Sequence, residues 1–201
     1  EQIANLKRNL RDCRDGTIFF EFSIPRMGKR VDVVLVTAGV IFVLEYKVGA
    51  ENYEVHAIDQ VMDYALDLKN FHEGSHDKYV VPILVSTKAS RLRTCLEWSA
   101  DHIASTLRSN GSDLREIINQ ALSSIPVQEK VDTDKWAYSG YKPTPTIVEA
   151  AQALYRGHSV QEISRSDASA TNLSHTTKCI SEIIDFSRRN LRKSICFVTG
   201  V

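Results

Sequence analysis

Between Glu21 and Lys47 the chain reads EFSIPRMGKRVDVVLVTAGVIFVLEYK: two β-branched hydrophobic runs, Val31 to Val36 and Val40 to Lys47, broken at Thr37-Ala38-Gly39. Such runs separated by a short Gly-containing break read as a β-hairpin, and this hairpin constrains the fold more than any other stretch. Side chains alternate across a strand, so Glu45 and Lys47 point to one face. Asp32, at the start of the preceding run, can meet them across the hairpin. Two carboxylates and an amine then converge at the end of an otherwise apolar sheet, a costly arrangement unless each charge is paired.

Hard divalent cations take oxygen ligands and are commonly held by one or two carboxylates with substrate phosphate and water. A lysine beside such a cation can position the attacking water and offset phosphate charge. A strand ending in a solvated, salt-bridged Glu-x-Lys carries the same letters. The context decides between the two: Asp32, then thirteen residues to Glu45-Tyr46-Lys47, on a hairpin followed by a helix, resembles the PD-(D/E)XK nucleases. Val31 stands where that family has its Pro, a departure that touches no ligand. The resemblance implies Mg²⁺, with Mn²⁺ able to substitute, held by Asp32, Glu45, the carbonyl of Tyr46 and an acid on the first helix, for which Glu1 is the candidate. It also implies Lys47 as a catalytic residue.

The RecB-type branch of the family carries a Gln-x-x-x-Tyr on the next helix, and Gln60-Val61-Met62-Asp63-Tyr64 matches it. Ile58, Val61, Ala65 and Leu68 make that segment an amphipathic helix, with Gln60 and Tyr64 stacked four apart beside the apolar stripe. By resemblance these two orient substrate or water. Glu21, on a strand read over Thr17 to Ser23, is a rival third acid, or a partner for Arg26, Lys29 or Arg30. Those three cations lie in a Gly-containing turn leading into Asp32, the right charge for holding a nucleic-acid backbone. Arg30, two before Asp32, is placed nearest the scissile phosphate.

Composition excludes several classes. In 201 residues, 43% are hydrophobic and 25% charged, an ordinary globular balance. Twenty-five Lys and Arg offset twenty-five Asp and Glu, so nucleic acid is announced by no global basicity and would need a local patch. Cys13, Cys95, Cys179 and Cys196 form no CxxC pair, which argues against structural zinc and fits a reducing cytoplasm. No apolar run approaches the roughly 20 residues of a membrane span, no signal peptide is read, and the chain, lacking an initiator Met, reads as an excised piece.

Further along, His72-Glu73-Gly74-Ser75-His76 matches H-E-x-x-H letter for letter. Zinc chemistry needs both histidines on one continuous helix, and Gly74-Ser75 breaks it, so a loop is expected. Lys78 to Ser86 reads as a strand, with Pro82 suggesting an edge, a bulge or a start after the proline. Leu92 to Trp98 is a strand or helix addition, and Asp113 to Ile125 is helical by pattern. From Pro126 to Lys142 periodicity is lost, which sets domains at 1–130 and 146–201 around a linker at 131–145.

The last region carries capping boxes at Thr146 with Glu149 and at Ser159 with Glu162, then a helix from Thr177 to Asn190. Lys193 to Val201, KSICFVTGV, resembles the strand that enters a P-loop, and stops before any G-K-[ST]. With YKPTPTIVEAAQALYRGHS upstream, the region from Trp136 resembles the lead-in to the P-loop ATPase of Schlafen-type, superfamily 1 helicase-like proteins. Gln152 would then contact adenine, and ATP hydrolysis would belong to a C-terminal domain in cis that this sequence does not contain.

The expected fold is α/β: a mixed central sheet flanked by helices, a restriction-endonuclease-like core, with a C-terminal helical segment leading to a truncated P-loop strand. The expected function is a metal-dependent nuclease acting on DNA. RNA as substrate, a catalytically silent docking domain and a homo-oligomer all stay open.

Overall fold

The computed structural model describes residues 2–11, 15–24, 29–93, 95–142 and 170–196. The chain divides into two compact units, Glu1–Gly140 and Tyr141–Val201. The first is an α/β unit built on a five-stranded mixed sheet in the order β1-β2-β3-β4-β5. Its strands are β1 (Thr17–Ile24), β2 (Lys29–Thr37), β3 (Val40–Lys47), β4 (Tyr79–Ser86) and β5 (Leu107–Ser109). The first three are antiparallel neighbours, and β3, β4 and β5 run parallel.

The expected hairpin is β2–β3, paired from Thr37↔Val40 to Val33↔Leu44. Ala38 and Gly39 both have positive φ, +48° and +78°, the signature of the tight turn whose twist matches the strands. A Cβ on Gly39 would run into Gln128 and Glu129, so glycine is required by space as well as by angle.

On one face, Val33, Phe42, Leu44, Ile83 and Val85 pack against Leu6 of α1 (Gln2–Asn9) and Leu114, Ile118 and Ala121 of α3 (Leu114–Ser123). The helix between β3 and β4, α2 (Val55–Phe71), lies against those two strands and buries Ala57, Val61, Ala65 and Leu68. Each large apolar side chain so enclosed contributes roughly 1.5–3 kcal/mol.

Pro82 stands in the sheet's interior, paired with Val43, and not at an edge. On the β5 side, Val80 hydrogen-bonds to His102 and Ala104, and the ladder resumes only at Ile83↔Leu107. The proline's missing N–H therefore faces a gap in the ladder. Leu92 to Trp98 forms no regular element among its described residues, apart from a bridge between Trp98 and Ala104.

The segment expected to be a linker begins with α4 (Thr133–Ala137), capped by Asp132, and belongs to the first unit as far as Gly140. Trp136 is the reason: it is 2% exposed and its ring lies 5.2 Å from those of Phe19 and Phe22. In the second unit, α5 spans Ala170–Arg189, starting seven residues before the expected Thr177. Lys193 to Cys196 carry no strand and are exposed, and the rest of the expected P-loop strand lies outside the described residues. Both capping boxes and Gln152 lie outside them as well.

Candidate functional site

The β2–β3 ladder ends at Val33↔Leu44, so Asp32 and Glu45 stand opposite one another one step further on, where the strands part. The Tyr46 amide there donates to Asp32 Oδ2 at 2.8 Å instead of to a strand partner. The splay that frees the carboxylate from the ladder also fixes it. Tyr46 points to the opposite face, where its hydroxyl donates to Asn5 Oδ1 at 3.3 Å.

Glu45, 5% exposed, and Lys47 share the α2 side, as the alternation requires. Lys47 Nζ donates to Glu45 Oε1 and to Gln60 Oε1, both at 2.9 Å. Gln60 Nε2 donates in turn to Glu45 Oε1 at 3.1 Å and to the Tyr64 hydroxyl at 2.7 Å. Glu45 and Lys47 on the hairpin and Gln60 and Tyr64 on the helix thus form one network, while the Asp32 carboxylate is held apart from it by the Tyr46 amide. The helical repeat sets Gln60 and Tyr64 on one face.

One atom is left out. Glu45 Oε2 is buried without a hydrogen-bond partner. Burial pushes the Glu45 carboxyl above the usual range, the Lys47 hydrogen bond pulls it back, and the Asp32 charge adds to the rise. The Asp32 amide beside it is the weakest of these influences. Asp32 is raised likewise, first by burial, against the Tyr46 amide, with the Glu21 charge adding and Lys47 opposing. Ser86, opposite Lys47 on β4, also has a buried hydroxyl with no partner.

Glu21 lies between the pairs Phe20↔Val33 and Phe22↔Val31, which sets it opposite Asp32. Its φ of +50° is left-handed backbone, rare for a non-glycine residue inside a strand. Its side chain is exposed and 4.0 Å from Arg30 Nη1, so Arg30 is engaged with Glu21. Glu1 and Arg26 lie outside the described residues, as does the side chain of Lys29. Among the described residues no three His, Cys, Asp or Glu side chains are gathered closely enough to hold a metal. The first helix does reach the site, through Gln2, whose Nε2 is 3.5 Å from Asp32 Oδ2. Its place next to Glu1 was the only sequence signal for it.

The H-E-x-x-H segment builds something else. Glu73–Ser75 is a single 3₁₀ turn after α2 ends, so the two histidines share no helix. His72 Nδ1 meets Ser75 Oγ at 2.8 Å and His72 Nε2 meets Ser139 Oγ at 3.0 Å, while Trp136 Nε1 donates to Ser75 Oγ at 3.0 Å. His76 Nδ1 turns to the Lys69 carbonyl. Burial, reinforced by His76, pushes His72 down to about 4.

No protein-family model, no curated protein and no solved structure matches this chain. Among the described residues no helix is long and apolar enough to cross a membrane.

Proposed function

We propose that the first unit is a Mg²⁺-dependent nuclease domain hydrolysing DNA phosphodiester bonds. It would work in the cytoplasm, as part of a longer protein whose C-terminal P-loop ATPase binds ATP. The observation that carries this reading is Glu45 Oε2, a buried carboxylate oxygen with no hydrogen-bond partner, on a residue that stands across the hairpin from Asp32, whose carboxyl burial also raises. A buried carboxylate oxygen left without a partner is costly even where Lys47 pairs the other, and a divalent cation is the partner that two converging carboxylates fit. The donor set of Asp32, Glu45 and the Tyr46 carbonyl is all oxygen, which suits Mg²⁺ or Mn²⁺.

When bound, such a cation lowers the pKa of water and neutralises phosphate charge. The remaining work falls to the chain. Lys47, held by Glu45 and Gln60 through two of its three N–H groups, has a third to direct at a phosphate oxygen or the attacking water. Gln60 fixes Lys47 and Glu45 together, and Tyr64 fixes Gln60. The buried Tyr46 amide holds Asp32 in place.

The test is cleavage of labelled linear duplex, single-stranded and supercoiled DNA with Mg²⁺, Mn²⁺ or EDTA, beside Asp32→Asn, Glu45→Gln and Lys47→Ala. Metal-dependent cutting that each variant loses while staying folded is expected. Full activity in all three overturns the site. A second reading is a silent docking domain for the ATPase. Calorimetry separates the two, since a docking domain would bind the cation weakly or not at all. The same chemistry would serve RNA, so an RNA substrate belongs in the cleavage panel.

A further inference from the structure

At the site's end of the sheet, β2 begins and β3 and β4 finish, so Lys29 to Asp32, Glu45 to Lys47 and the segment after Ser86 lie side by side. Thr87 to Arg93 is a strap laced to the loop that follows β3. Thr87 N donates to Lys47 O at 3.3 Å, Lys88 N to Ala50 O at 3.0 Å, and Gly49 N to Thr87 Oγ1 at 2.8 Å. Tyr53, from the same loop, donates its hydroxyl to Ser90 O at 3.1 Å. At the far side, Arg91 is pinned by Asp113 at 3.3 Å and by Glu116.

The strap therefore has its backbone tied on one flank and one arginine tied on the other. Among the side chains left over, beside exposed Ser90 and Leu92, two are cations. Lys88 and Arg93 are exposed and have no acidic partner among the described residues, and the seven residues from Thr87 to Arg93 contain no acid. Lys88 directly follows the Thr87 whose amide bonds the Lys47 carbonyl, so it stands one strand beyond the proposed catalytic lysine. On the other side of Asp32 and Glu45 lies Arg30. Two strand spacings, about 10 Å, separate β2 from β4. A nucleic-acid strand carries a charge about every 3.4 Å of axis, so a few phosphates span that distance.

We infer that the Thr87–Arg93 strap is a nucleic-acid docking surface, on which Lys88 and Arg93 hold the phosphodiester backbone as it crosses the strand ends from the Arg30 side. The placement of the scissile bond between the two flanks rests on the nuclease reading, whereas the docking does not. Backbone contacts of this kind position a substrate without reading its sequence. Tyr53, half-buried between the loops, is the aromatic such a track uses for stacking a base.

The experiment is fluorescence anisotropy of labelled 30-nucleotide single strands, one DNA and one RNA, titrated with the full chain in EDTA across a salt series. Lys88→Ala/Arg93→Ala is compared with Lys130→Ala, which removes an exposed cation from the opposite end of the sheet. Each lost phosphate contact lowers the salt slope by about 0.7 on a single strand, so the double variant should lose about 1.4 and bind roughly tenfold more weakly at low salt. Lys130→Ala should bind like the wild type. Equal strap dependence on DNA and RNA, or dependence on one alone, supports the surface and identifies its polymer. A wild-type slope in the double variant, or no binding of either strand by the unaltered chain, overturns it. Strap-dependent binding without metal-dependent cutting would remove the nuclease reading and leave the surface standing; cutting with no strap dependence would do the reverse.

Discussion

Two polar networks stand at the two ends of α2, and they differ in whether their hydrogen bonds close. Around His72 one assignment of protons satisfies every group. Trp136 Nε1–H gives to Ser75, Ser75 O–H to His72 Nδ1, His72 Nε2–H to Ser139, and Ser139 O–H to the Trp136 carbonyl at 2.9 Å. Around Gln60 the circuit of Lys47, Glu45 and Tyr64 leaves Glu45 Oε2 with nothing. The first network carries a letter-perfect metal motif and uses it up in structure. The second carries the buried, unsatisfied oxygen that a ligand would complete. Satisfaction of the hydrogen bonds, and not the motif, separates scaffold from candidate site.

The contrast breaks most visibly at Trp136. Trp136→Ala should cost about 3–5 kcal/mol of stability in urea denaturation, as large aromatic truncations in cores do. The affinity of the carboxylate site for Mg²⁺, read by calorimetry, should not change. Comparable losses of both would mean that the two networks are one.

Acid should act on the two ends in opposite directions. His72 is neutral in the folded chain down to about 4, against 6.5 when unfolded. It contributes stability that is present above 6.5 and lost as pH falls toward 4, on the order of 2–3 kcal/mol. Asp32 and Glu45 are raised above 3.8 and 4.5, so without a cation they subtract stability as pH climbs through and above those values. Urea midpoints measured against pH should therefore lose their fall between pH 6.5 and 4 in His72→Gln alone. The opposing drift should shrink in Asp32→Asn and in Glu45→Gln and disappear in the double variant.

Glu45→Gln sharpens the comparison further. Replacing the carboxylate should raise the unfolding midpoint of the cation-free chain at neutral pH, because the fold holds that carboxyl above its ordinary range and so disfavours its ionised form. It should also weaken Mg²⁺ binding by at least the roughly 10–100-fold that loss of an outer-shell partner costs. A lowered midpoint would show that the network around Gln60 is as structural as the one around His72. The smallest effect is expected at Ser86: its hydroxyl has no partner to lose, so Ser86→Ala should stay within about 0.5 kcal/mol of the wild type or stabilise it.

The sequence was most legible where the signal was local. The β2–β3 hairpin announced itself by β-branched runs and a Gly turn, α2 by its stripe, and the alignments of Glu45 with Lys47 and of Gln60 with Tyr64 by periods of two and four residues. That the two pairs meet was an expectation from the resemblance alone. What escaped was set at long range. Three-residue β5 has no pattern to read, and it exists because parallel β4 presents a free edge to Leu107–Ser109. Trp136 sat in a polar stretch that looked like a linker, and its burial depends on Phe19 and Phe22, more than a hundred residues earlier. Pro82 left an edge, a bulge or a late start open, and the choice among them needed the long-range pairing, where Val80↔Ile103 and Ile83↔Leu107 leave an extra residue on the β5 side. The approach of Gln2 to Asp32 depends on how α1 docks, which Asn5 and Asn9 fix by donating to the Gly111 carbonyl at 2.8 and 2.9 Å.

The left-handed residue in β1 has a bearing on solubility. β1 is an outer strand of sequence TIFFEFSI, with Phe20 48% exposed, the composition of a strand that would recruit another copy's edge and begin an aggregate. Glu21 interrupts that edge at its middle with a φ of +50° and an exposed charge. A straight incoming strand would meet a kink and a carboxylate there, so β1 can keep its aromatic residues for Trp136 without offering a continuous edge to a second chain.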